Sequence, residues 1–384
     1  MPAASSHRLV ALALPPGPAF VEALETAWQR GDAVLPVDPR LPQPVADALR
    51  AAMRLDEPVE EGVGLVIATS GSTGEPKGAV LTHEALAASA RATMQRIGTD
   101  PADRWLSCLP WHHIGGLQVL LRARLCGQPL VVHDRFDVAR VAAEADVTLV
   151  SLVPTQLARL LEAGVDLRRF RVILLGGAAA PPALLHRAAA AGAPVVTTYG
   201  MSETSGGCVY DGRPLDGVDI RMDGDGRIHL RGPVLMSGYR GRPDLTAEVL
   251  RDGWLRTADL GSWDGTRLDV HGRVDDVIVS GGENVVAARV EAALAEHPAV
   301  REVTVVGTPD PEWGERVVAY VVAADDALTL PEARSWVAER LGPAAAPGAL
   351  ICLAEIPRLA SGKPDRLRLR RRAAAAASPP RHPR

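Results

Sequence analysis

The sequence predicts an α/β protein, and three observations predict it. Short apolar runs alternate with Ala- and Leu-rich stretches up to residue 200, which indicates strand–helix units around a mostly parallel sheet. Apolar and polar residues alternate over 215–270, which indicates a small antiparallel β subdomain. Mixed helix and strand patterns return after residue 275. We therefore predict a large N-terminal domain of parallel-rich sheets packed with helices over 1–274, a small α+β C-terminal domain over 275–370, and a disordered tail over 371–384.

Composition limits the classes of function. Of 384 residues, 47% are hydrophobic and 23% are charged, as in ordinary globular proteins. The net charge of -4 gives no basic excess that would indicate nucleic acid as a partner. Four scattered cysteines form no C-x-x-C pair, which favours a reducing compartment and no zinc framework. The apolar run 9–14 is too short for a signal peptide, and no run is long enough to span a membrane, so we expect a cytoplasmic protein without stable membrane insertion.

The individual elements follow from local patterns. Residues 62–70 predict a buried strand leading into a Gly-rich loop, and Thr82 is expected to cap a helix that Gly98 ends. The Asp223–Gly226 turn, with alternation on both sides, predicts a hairpin. Further strands are predicted over 147–153, 171–177, 194–200, 301–307 and 316–324, and further helices over 155–164, 183–192, 287–296 and 331–341. The Ala-, Pro- and Arg-rich tail has low complexity, which is why we expect it to be disordered.

The strongest local signal is the segment Thr69–Gly78, TSGSTGEPKG. Its glycines let backbone N–H groups approach phosphate oxygens, its hydroxyls donate further hydrogen bonds, and Lys77 adds positive charge. The segment is not the P-loop of NTPases, because Pro76 precedes the lysine and Gly78 follows it. It predicts a phosphate-binding loop, with a flexible surface loop as the alternative.

Five motifs, in order, resemble those of the adenylate-forming superfamily of acyl-CoA synthetases, luciferases and peptide-synthetase adenylation domains. They are TSGSTGEPKG at 69–78, YGMSE at 199–203, GWLRTAD at 253–259, GRVDD at 272–276 and SGK at 361–363. The resemblance covers residues 60–370, although the N-terminal part is shorter than usual. It implies ATP, Mg²⁺ and coenzyme A as ligands, and a C-terminal domain that is mobile.

The resemblance also implies a nucleotide site. Glu203 would be catalytic as the metal ligand, since Mg²⁺ prefers carboxylate oxygens; the alternative is a surface glutamate. Asp259 would accept hydrogen bonds from the ribose hydroxyls, or else cap a turn. Arg273 would contact ribose or phosphate, or else be a surface cation. The residues expected to hold ATP or AMP are Thr69, Ser70, Gly71, Ser72, Thr73, Gly74, Lys77, Gly177, Thr198, Tyr199, Gly200, Met201, Ser202, Asp259 and Arg273.

In the C-terminal domain the resemblance implies three roles. Lys363 would be catalytic, stabilising the charge that develops as the substrate carboxylate attacks the α-phosphate; a lysine in such a polar loop is otherwise solvated. Asp275 would be the hinge about which this domain swings between two half-reactions. Gly281, Gly282 and Trp313 would bind coenzyme A, the glycines leaving room for the pantetheine arm. The alternative for Trp313 is packing on its own domain.

The acyl site is expected at LPWHHIGGLQVLLR, residues 109–122. By resemblance, His113 would be catalytic and orient the carboxylate, with Gly176 also at the acyl pocket, and His112 stands where many relatives carry Phe or Tyr. We discount a metal site at the two histidines, because neighbours on an extended segment point opposite ways and no third ligand is evident. Arg122 lies in an apolar stretch, where arginine is costly unless it is paired or binds an anion; the alternative is a snorkelling surface side chain.

This segment resembles that of the o-succinylbenzoate–CoA ligases of menaquinone synthesis, in which an arginine at this place is expected to clamp the second carboxylate. The implied reaction forms an acyl-adenylate and pyrophosphate, after which coenzyme A displaces AMP. Other aryl- or fatty-acid–CoA ligases are the alternative, as is a non-catalytic adenylate-binding relative, which the presence of Lys363 and Glu203 disfavours. A luciferase or a peptide-synthetase domain would share the first half-reaction. The expected partners are a small carboxylic acid, ATP and coenzyme A, with a homodimer common among relatives.

Overall fold

The computed structural model describes residues 7–70, 76–324, 328–358 and 364–377. The first four of the five strands of the first sheet are three parallel strands and an antiparallel one: β1 Leu9–Leu12, β2 Ala33–Pro36, β3 Val63–Ser70 and β4 Pro76–Thr82. The fifth strand comes from later in the chain and pairs with β4. Helices α1 Pro18–Gln29, α2 Gln43–Ala52 and α3 His83–Ile97 belong to the same part of the chain. Helix α3 confirms its predicted ends, since the Thr82 side chain accepts a hydrogen bond from the Ala85 N–H at 3.1 Å and Gly98 follows with a φ of 70°.

The second sheet is mostly parallel, as predicted. Its strands are β5 Trp105–Ser107, β6 Leu130–Val132, β7 Leu149–Leu152, β8 Val172–Leu175 and β9 Val195–Met201, with β10 Gly206–Tyr210 and β11 Arg213–Pro214 added antiparallel at one edge. The helices between them are α4 Ile114–Leu125, α5 Val138–Ala143, α6 Pro154–Glu162 and α7 Pro182–Ala190. Because parallel strands end at the same edge, the segments that follow β5, β8 and β9 emerge together there.

The third sheet is the predicted antiparallel subdomain. It contains β12 Asp219–Met222, β13 Arg227–Arg231, β15 Leu250–Arg251, β16 Trp254–Trp263 and β17 Leu268–Arg273. The two-residue strand β14 Gly238–Tyr239 comes between β13 and β15 in the chain, before α8 Pro243–Val249, but it pairs with β4 of the first sheet. Residues Asp219–Met222 pair with Ile228–Arg231 in the register of the predicted hairpin. Through β14 the chain passes from the third sheet to the first and back, which links the two sheets.

The C-terminal part is α+β, as predicted. Its strands are β18 Val277–Ser280, β19 Glu283–Val286, β20 Val300–Asp310, β21 Gly314–Ala323 and β22 Ala349–Cys352, and its helices are α9 Ala287–Ala295, α10 Leu330–Leu341 and α11 Arg366–Ala377. Its buried apolar side chains form clusters with one another, separate from the large cluster that joins the first three sheets. The division at residues 274 and 275 itself stays a prediction.

The predicted disordered tail over 371–384 is wrong as far as residue 377, because α11 continues to Ala377. Leu369 and Ala373 are buried in one cluster with Tyr320, whose hydroxyl donates to the Leu369 carbonyl at 3.0 Å. The alanine run therefore extends a helix that this packing holds in place. Residues 378–384 lie outside the described residues. Within the described ranges, no helix has the length and apolar character needed to cross a membrane.

Candidate active site

The residues on both sides of the predicted phosphate loop lie in two paired antiparallel strands. Strands β3 and β4 pair Thr69 with Lys77 and Ser70 with Pro76, and the Thr69 hydroxyl donates to the Lys77 carbonyl at 3.3 Å. Four residues predicted to hold ATP or AMP lie outside the described residues: Gly71, Ser72, Thr73 and Gly74. The strand pairing therefore fixes the backbone on both sides of the loop, with Lys77 at the start of β4.

Beside these two strands, Lys77, Tyr239 and Glu203 form a cluster. The Tyr239 hydroxyl donates a hydrogen bond to Oε1 of Glu203 at 2.7 Å, and Nζ of Lys77 lies 5.6 Å from the centre of the Tyr239 ring. Glu203 stands in a 3₁₀ turn, Ser202–Thr204, directly after β9. Burial and the adjacent Glu203 carboxylate raise the pKa of Tyr239 well above its usual value, so the phenol stays a neutral donor.

A second cluster joins β9 to the third sheet. The Tyr199 hydroxyl donates to Oδ2 of Asp259 at 2.8 Å, and Arg273 donates to Oδ1 of Asp259 at 3.4 Å. Arg273 also bonds Asp275, at 3.2 Å from its Oδ2. Burial, followed by the charge of Asp259, raises the pKa of Tyr199. The predicted ribose carboxylate, the predicted phosphate or ribose arginine and the predicted hinge are thus one hydrogen-bonded chain.

The glycines of the site allow close backbone packing. A side chain at Gly176 would collide with the Thr198 hydroxyl, and one at Gly200 would collide with the Gly206 carbonyl. Gly177 follows with a φ of 79°, and Met201 and Ser202 continue the segment from β9 towards Glu203. The predicted residues after β8 and β9 therefore lie side by side at the carboxyl edge of the second sheet.

The two adjacent histidines differ from expectation. Their ring centres lie 4.4 Å apart, so His112 and His113 do not point to opposite sides of the chain. The reason is that His113 is the residue before the first turn of α4 rather than a continuing strand. Nε2 of His112 also lies 3.7 Å from Oδ2 of Asp38, two residues after β2. Asp38 in turn accepts hydrogen bonds from Arg40, which lower its pKa to about 2. The Asp38 carboxylate therefore lies close to the histidine pair, on the side of His112.

Arg122 is buried rather than snorkelling. Only 4% of it is exposed, its guanidinium lies 5.8 Å from the centre of the Trp105 ring, and its Nε has no hydrogen-bond partner. Within the described residues it makes no ion pair. Gly115, Gln118 and Arg122 share one face of α4, and nothing lies within 4 Å of the place where a Gly115 side chain would begin. Gln118 ties this helix to the Glu203 segment by donating to the Ser205 carbonyl at 2.7 Å.

The C-terminal residues predicted to be functional are only partly described. Gly281 and Gly282 form the tip of the β18–β19 hairpin, both with positive φ. Trp313 packs on Gly281, within its own domain, and remains half exposed. Lys363 lies outside the described residues. Asp275, the predicted hinge residue, is also bonded from α11, since Arg370 donates to its carbonyl at 3.0 Å.

The donor set around Glu203 fits Mg²⁺. Of its two carboxylate oxygens, one accepts the Tyr239 hydrogen bond and the other has no bond within the described residues. A hard cation that prefers oxygen suits this carboxylate.

The sequence did not indicate Tyr239, because it lies in none of the five motifs. Gln118 lies inside the segment 109–122, where a polar residue in an apolar helix was an available signal.

Two family models of AMP-binding enzymes match this chain. The family model of AMP-binding enzymes matches residues 50–240, and that of the AMP-binding enzyme C-terminal domain matches residues 289–363. A probable 2-succinylbenzoate–CoA ligase of Mycobacterium tuberculosis is 42% identical over 351 residues, which cover 86% of this chain and 90% of that protein. The 2-succinylbenzoate–CoA ligase of Bacillus mycoides is 37% identical over 334 residues, 80% of this chain and 69% of that protein.

The fold of this chain is also similar to that of solved structures. The o-succinylbenzoate CoA synthetase of Bacillus subtilis, in complex with its acyl-adenylate intermediate, matches with a TM-score of 0.84 at 30% identity, covering 95% of this chain and 88% of that one. The same synthetase with ATP and a magnesium ion matches with a TM-score of 0.83. This chain therefore belongs to the AMP-binding, adenylate-forming enzyme family that includes the 2-succinylbenzoate–CoA ligases.

Proposed function

We propose that this chain is an AMP-forming acid–CoA ligase that converts o-succinylbenzoate, ATP and coenzyme A into o-succinylbenzoyl-CoA, AMP and pyrophosphate in menaquinone biosynthesis. Relatives that bear the name of this ligase cover nearly the whole chain, which supports the reaction class. The choice of a dicarboxylic acid is carried by one observation within the chain, the buried and unpaired Arg122.

Arg122 has the properties of an anion site. An isolated buried charge is costly, and a protein ordinarily offsets it with an opposite charge or a bound ion. Arg122 and His113 are nine residues apart along α4, about 14 Å at a rise of ~1.5 Å per residue. Helical side chains lean towards the helix N-terminus, which brings the guanidinium closer to His113. A substrate with carboxylates at both ends would be activated near His113 and clamped by Arg122.

In the first half-reaction the chain orients two anions towards each other. The Thr69–Lys77 segment and Lys77 would hold the phosphates, Asp259 would accept the ribose hydroxyls, and His113 would orient the substrate carboxylate. Mg²⁺, held by Glu203, would neutralise charge on the phosphates of ATP. Lys363 is expected to complete the charge stabilisation at the α-phosphate.

In the second half-reaction coenzyme A attacks the acyl-adenylate. The Gly281–Gly282 tip has no side chains that would obstruct the narrow pantetheine arm, and the half-exposed Trp313 offers a ring beside it. Rotation about Asp275 would bring this hairpin to the acyl site and remove Lys363. The Arg273 and Arg370 bonds to Asp275 would have to change in that step. A cytoplasmic location and a homodimer remain predictions from the sequence.

The direct test measures pyrophosphate release and thioester formation with ATP, Mg²⁺ and coenzyme A. The acids are o-succinylbenzoate, benzoate, a medium-chain fatty acid and an amino acid. We expect turnover with o-succinylbenzoate and little with the others. Turnover with a different acid would keep the ligase chemistry and refute the substrate, whereas adenylation of no acid by folded protein would favour the non-catalytic alternative.

Arg122→Ala tests the carboxylate clamp. Loss of a charged hydrogen-bonded pair should lower kcat/KM for o-succinylbenzoate on the order of a hundred-fold. The same variant should leave turnover of 4-oxo-4-phenylbutanoate nearly unchanged, because that analogue lacks the ring carboxylate. Arg124→Ala is the matched control, since Arg124 lies on the same helix in an ion pair with Glu25. An equal loss with both acids would mean that Arg122 only supports the fold.

A further inference from the structure

The side chain of Tyr239 occupies a position that no sequence motif indicated. It stands between two charged residues that the proposed reaction needs separately, with its hydroxyl on Oε1 of Glu203 and its ring beneath the ammonium of Lys77. No ion pair joins Lys77 to Glu203 within the described residues. Because the two charges are of opposite sign, their direct contact would be favourable unless something separates them.

The backbone around Tyr239 is firmly anchored. Strand β14 pairs Tyr239 with Ala79, two residues after Lys77, and the Tyr239 N–H donates to the Thr246 hydroxyl at 2.8 Å. The next residue, Arg240, donates through its guanidinium to four backbone carbonyls, those of Met53, Arg54, Glu57 and Pro58. The backbone that carries the ring is therefore held by contacts other than those to the Lys77 and Glu203 side chains.

The Glu203 backbone is fixed from the same side. Its carbonyl accepts a hydrogen bond from the Met236 N–H at 2.8 Å, three residues before Tyr239. The turn that carries the carboxylate and the strand that carries the phenol are thus held together before any ligand binds. A carboxylate whose orientation is set in advance loses less entropy when it binds a cation.

We propose that Tyr239 is a positioning residue for the metal carboxylate: its hydroxyl holds one oxygen of Glu203 so that the other faces Mg²⁺, and its ring keeps Lys77 from pairing with Glu203. This inference rests on the proposed function, because it assumes that Mg·ATP binds here. It assigns Tyr239 no contact with the reacting atoms. Its effect is exerted entirely through Glu203 and Lys77.

The test measures ATP affinity by calorimetry in the absence of any acid, once with Mg²⁺ and once with EDTA. In the wild type Mg²⁺ should strengthen ATP binding. Tyr239→Phe keeps the ring and removes the hydroxyl, and it should reduce this strengthening about ten-fold, the lower end of losses for such outer partners of a metal ligand. ATP affinity in EDTA should stay the same, which a general loss of structure would not allow.

A double-mutant cycle decides whether Tyr239 acts through Glu203. Glu203→Gln should abolish most of the Mg²⁺ effect, and adding Tyr239→Phe to it should then change nothing further. Tyr210→Phe is the matched control, because it removes a similar buried hydroxyl outside this cluster. The Tyr210 hydroxyl lies 2.9 Å from the Thr93 hydroxyl. Additive effects in the cycle, or an unchanged Mg²⁺ effect in Tyr239→Phe, would overturn the inference.

The same experiment separates this inference from the proposed function. If wild-type protein binds Mg·ATP but adenylates no acid, the proposed function fails while the calorimetric comparison still decides the role of Tyr239. If the wild type turns over o-succinylbenzoate and Tyr239→Phe has the same dependence on Mg²⁺ concentration as the wild type, the role of Tyr239 fails and the ligase assignment stands.

Discussion

Two carboxylates at opposite edges of the second sheet differ in how they are bonded. Asp103, just before β5, is 1% exposed and accepts hydrogen bonds from the Asp100 N–H, Thr148, Gln128 and, through two nitrogens, Arg171. Glu203, just after β9, accepts one side-chain hydrogen bond within the described residues, from Tyr239. Because β5 and β9 run in the same direction, Asp103 lies at the amino end of the strands and Glu203 at their carboxyl end.

The difference separates structural from functional carboxylates. Asp103 is saturated by partners from its own fold, so it has no lone pair to offer a ligand, and its role is to join β5 to the loops at that edge. Glu203 is oriented but keeps one oxygen open. An unsatisfied acceptor costs stability unless a ligand or solvent binds it, which is a reason to expect function there and stability at Asp103.

Among the substitutions that test this comparison, the largest effect on turnover is expected at Glu203. Glu203→Gln removes the negative charge but keeps the size of the side chain and an oxygen that can accept the Tyr239 hydrogen bond. The melting temperature should therefore change little. We expect kcat for pyrophosphate release to fall on the order of a hundred-fold or more, since one charged contact to a metal and its phosphates is lost. Steady-state kinetics and thermal unfolding of the same preparation check it. A fall in melting temperature without loss of turnover would reverse the assignment.

Asp103→Asn should have the opposite profile. An amide NH₂ would face the guanidinium of Arg171 and leave it without its anion, which should cost about 2–4 kcal/mol of stability. Turnover at saturating substrate should stay close to the wild type, because the residue lies at the far edge of the sheet from Glu203. Urea unfolding and kinetics at a temperature well below the transition measure the two effects separately.

The pH dependence of stability gives a second check on Asp103. Burial raises its pKa, but the bonds from Arg171, the Asp100 N–H and Thr148 outweigh this and hold the pKa below 3.8. A pKa that is lowered on folding stabilises the protein above its unfolded value, and this contribution is lost as the pH falls through the folded value. The stability difference between the wild type and Asp103→Asn should therefore be full at pH 6 and shrink below about pH 4.

The sequence predicts the helices, strands and motifs, but not the contacts between side chains of different elements. The cap at Thr82, the parallel strands and the hairpin at 219–231 follow from local patterns, and the structure has them. The bond between Tyr239 and Glu203 joins residues 36 apart on different sheets, which no local pattern encodes. The orientation of His112 and His113 was missed because the start of α4 turns the chain at that point.

The C-terminal tail was misjudged for a related reason. A run of arginines and alanines suggests disorder when it is considered by composition alone. Helix α11 forms there because Leu369 and Ala373 find an apolar surface on β20 and β21, and because Arg366 pairs with the buried Glu291 at 2.8 Å. Tertiary contacts therefore make a helix of a segment whose composition alone indicates disorder.

The smallest effect on turnover is expected for a substitution at Tyr199, which donates to Asp259. Asp259 is intermediate between Asp103 and Glu203 in this comparison. The Tyr199 hydroxyl is one of at least two donors to Asp259, so Tyr199→Phe leaves that carboxylate oriented by Arg273. Loss of one neutral donor to a carboxylate costs about 1 kcal/mol, which corresponds to roughly a five-fold rise in KM for ATP. The KM values for the acid and for coenzyme A should not change. If Asp259 instead behaved like Asp103, Tyr199→Phe would lower the stability and leave KM for ATP unaltered, and the comparison of melting temperature with KM in one variant distinguishes these outcomes.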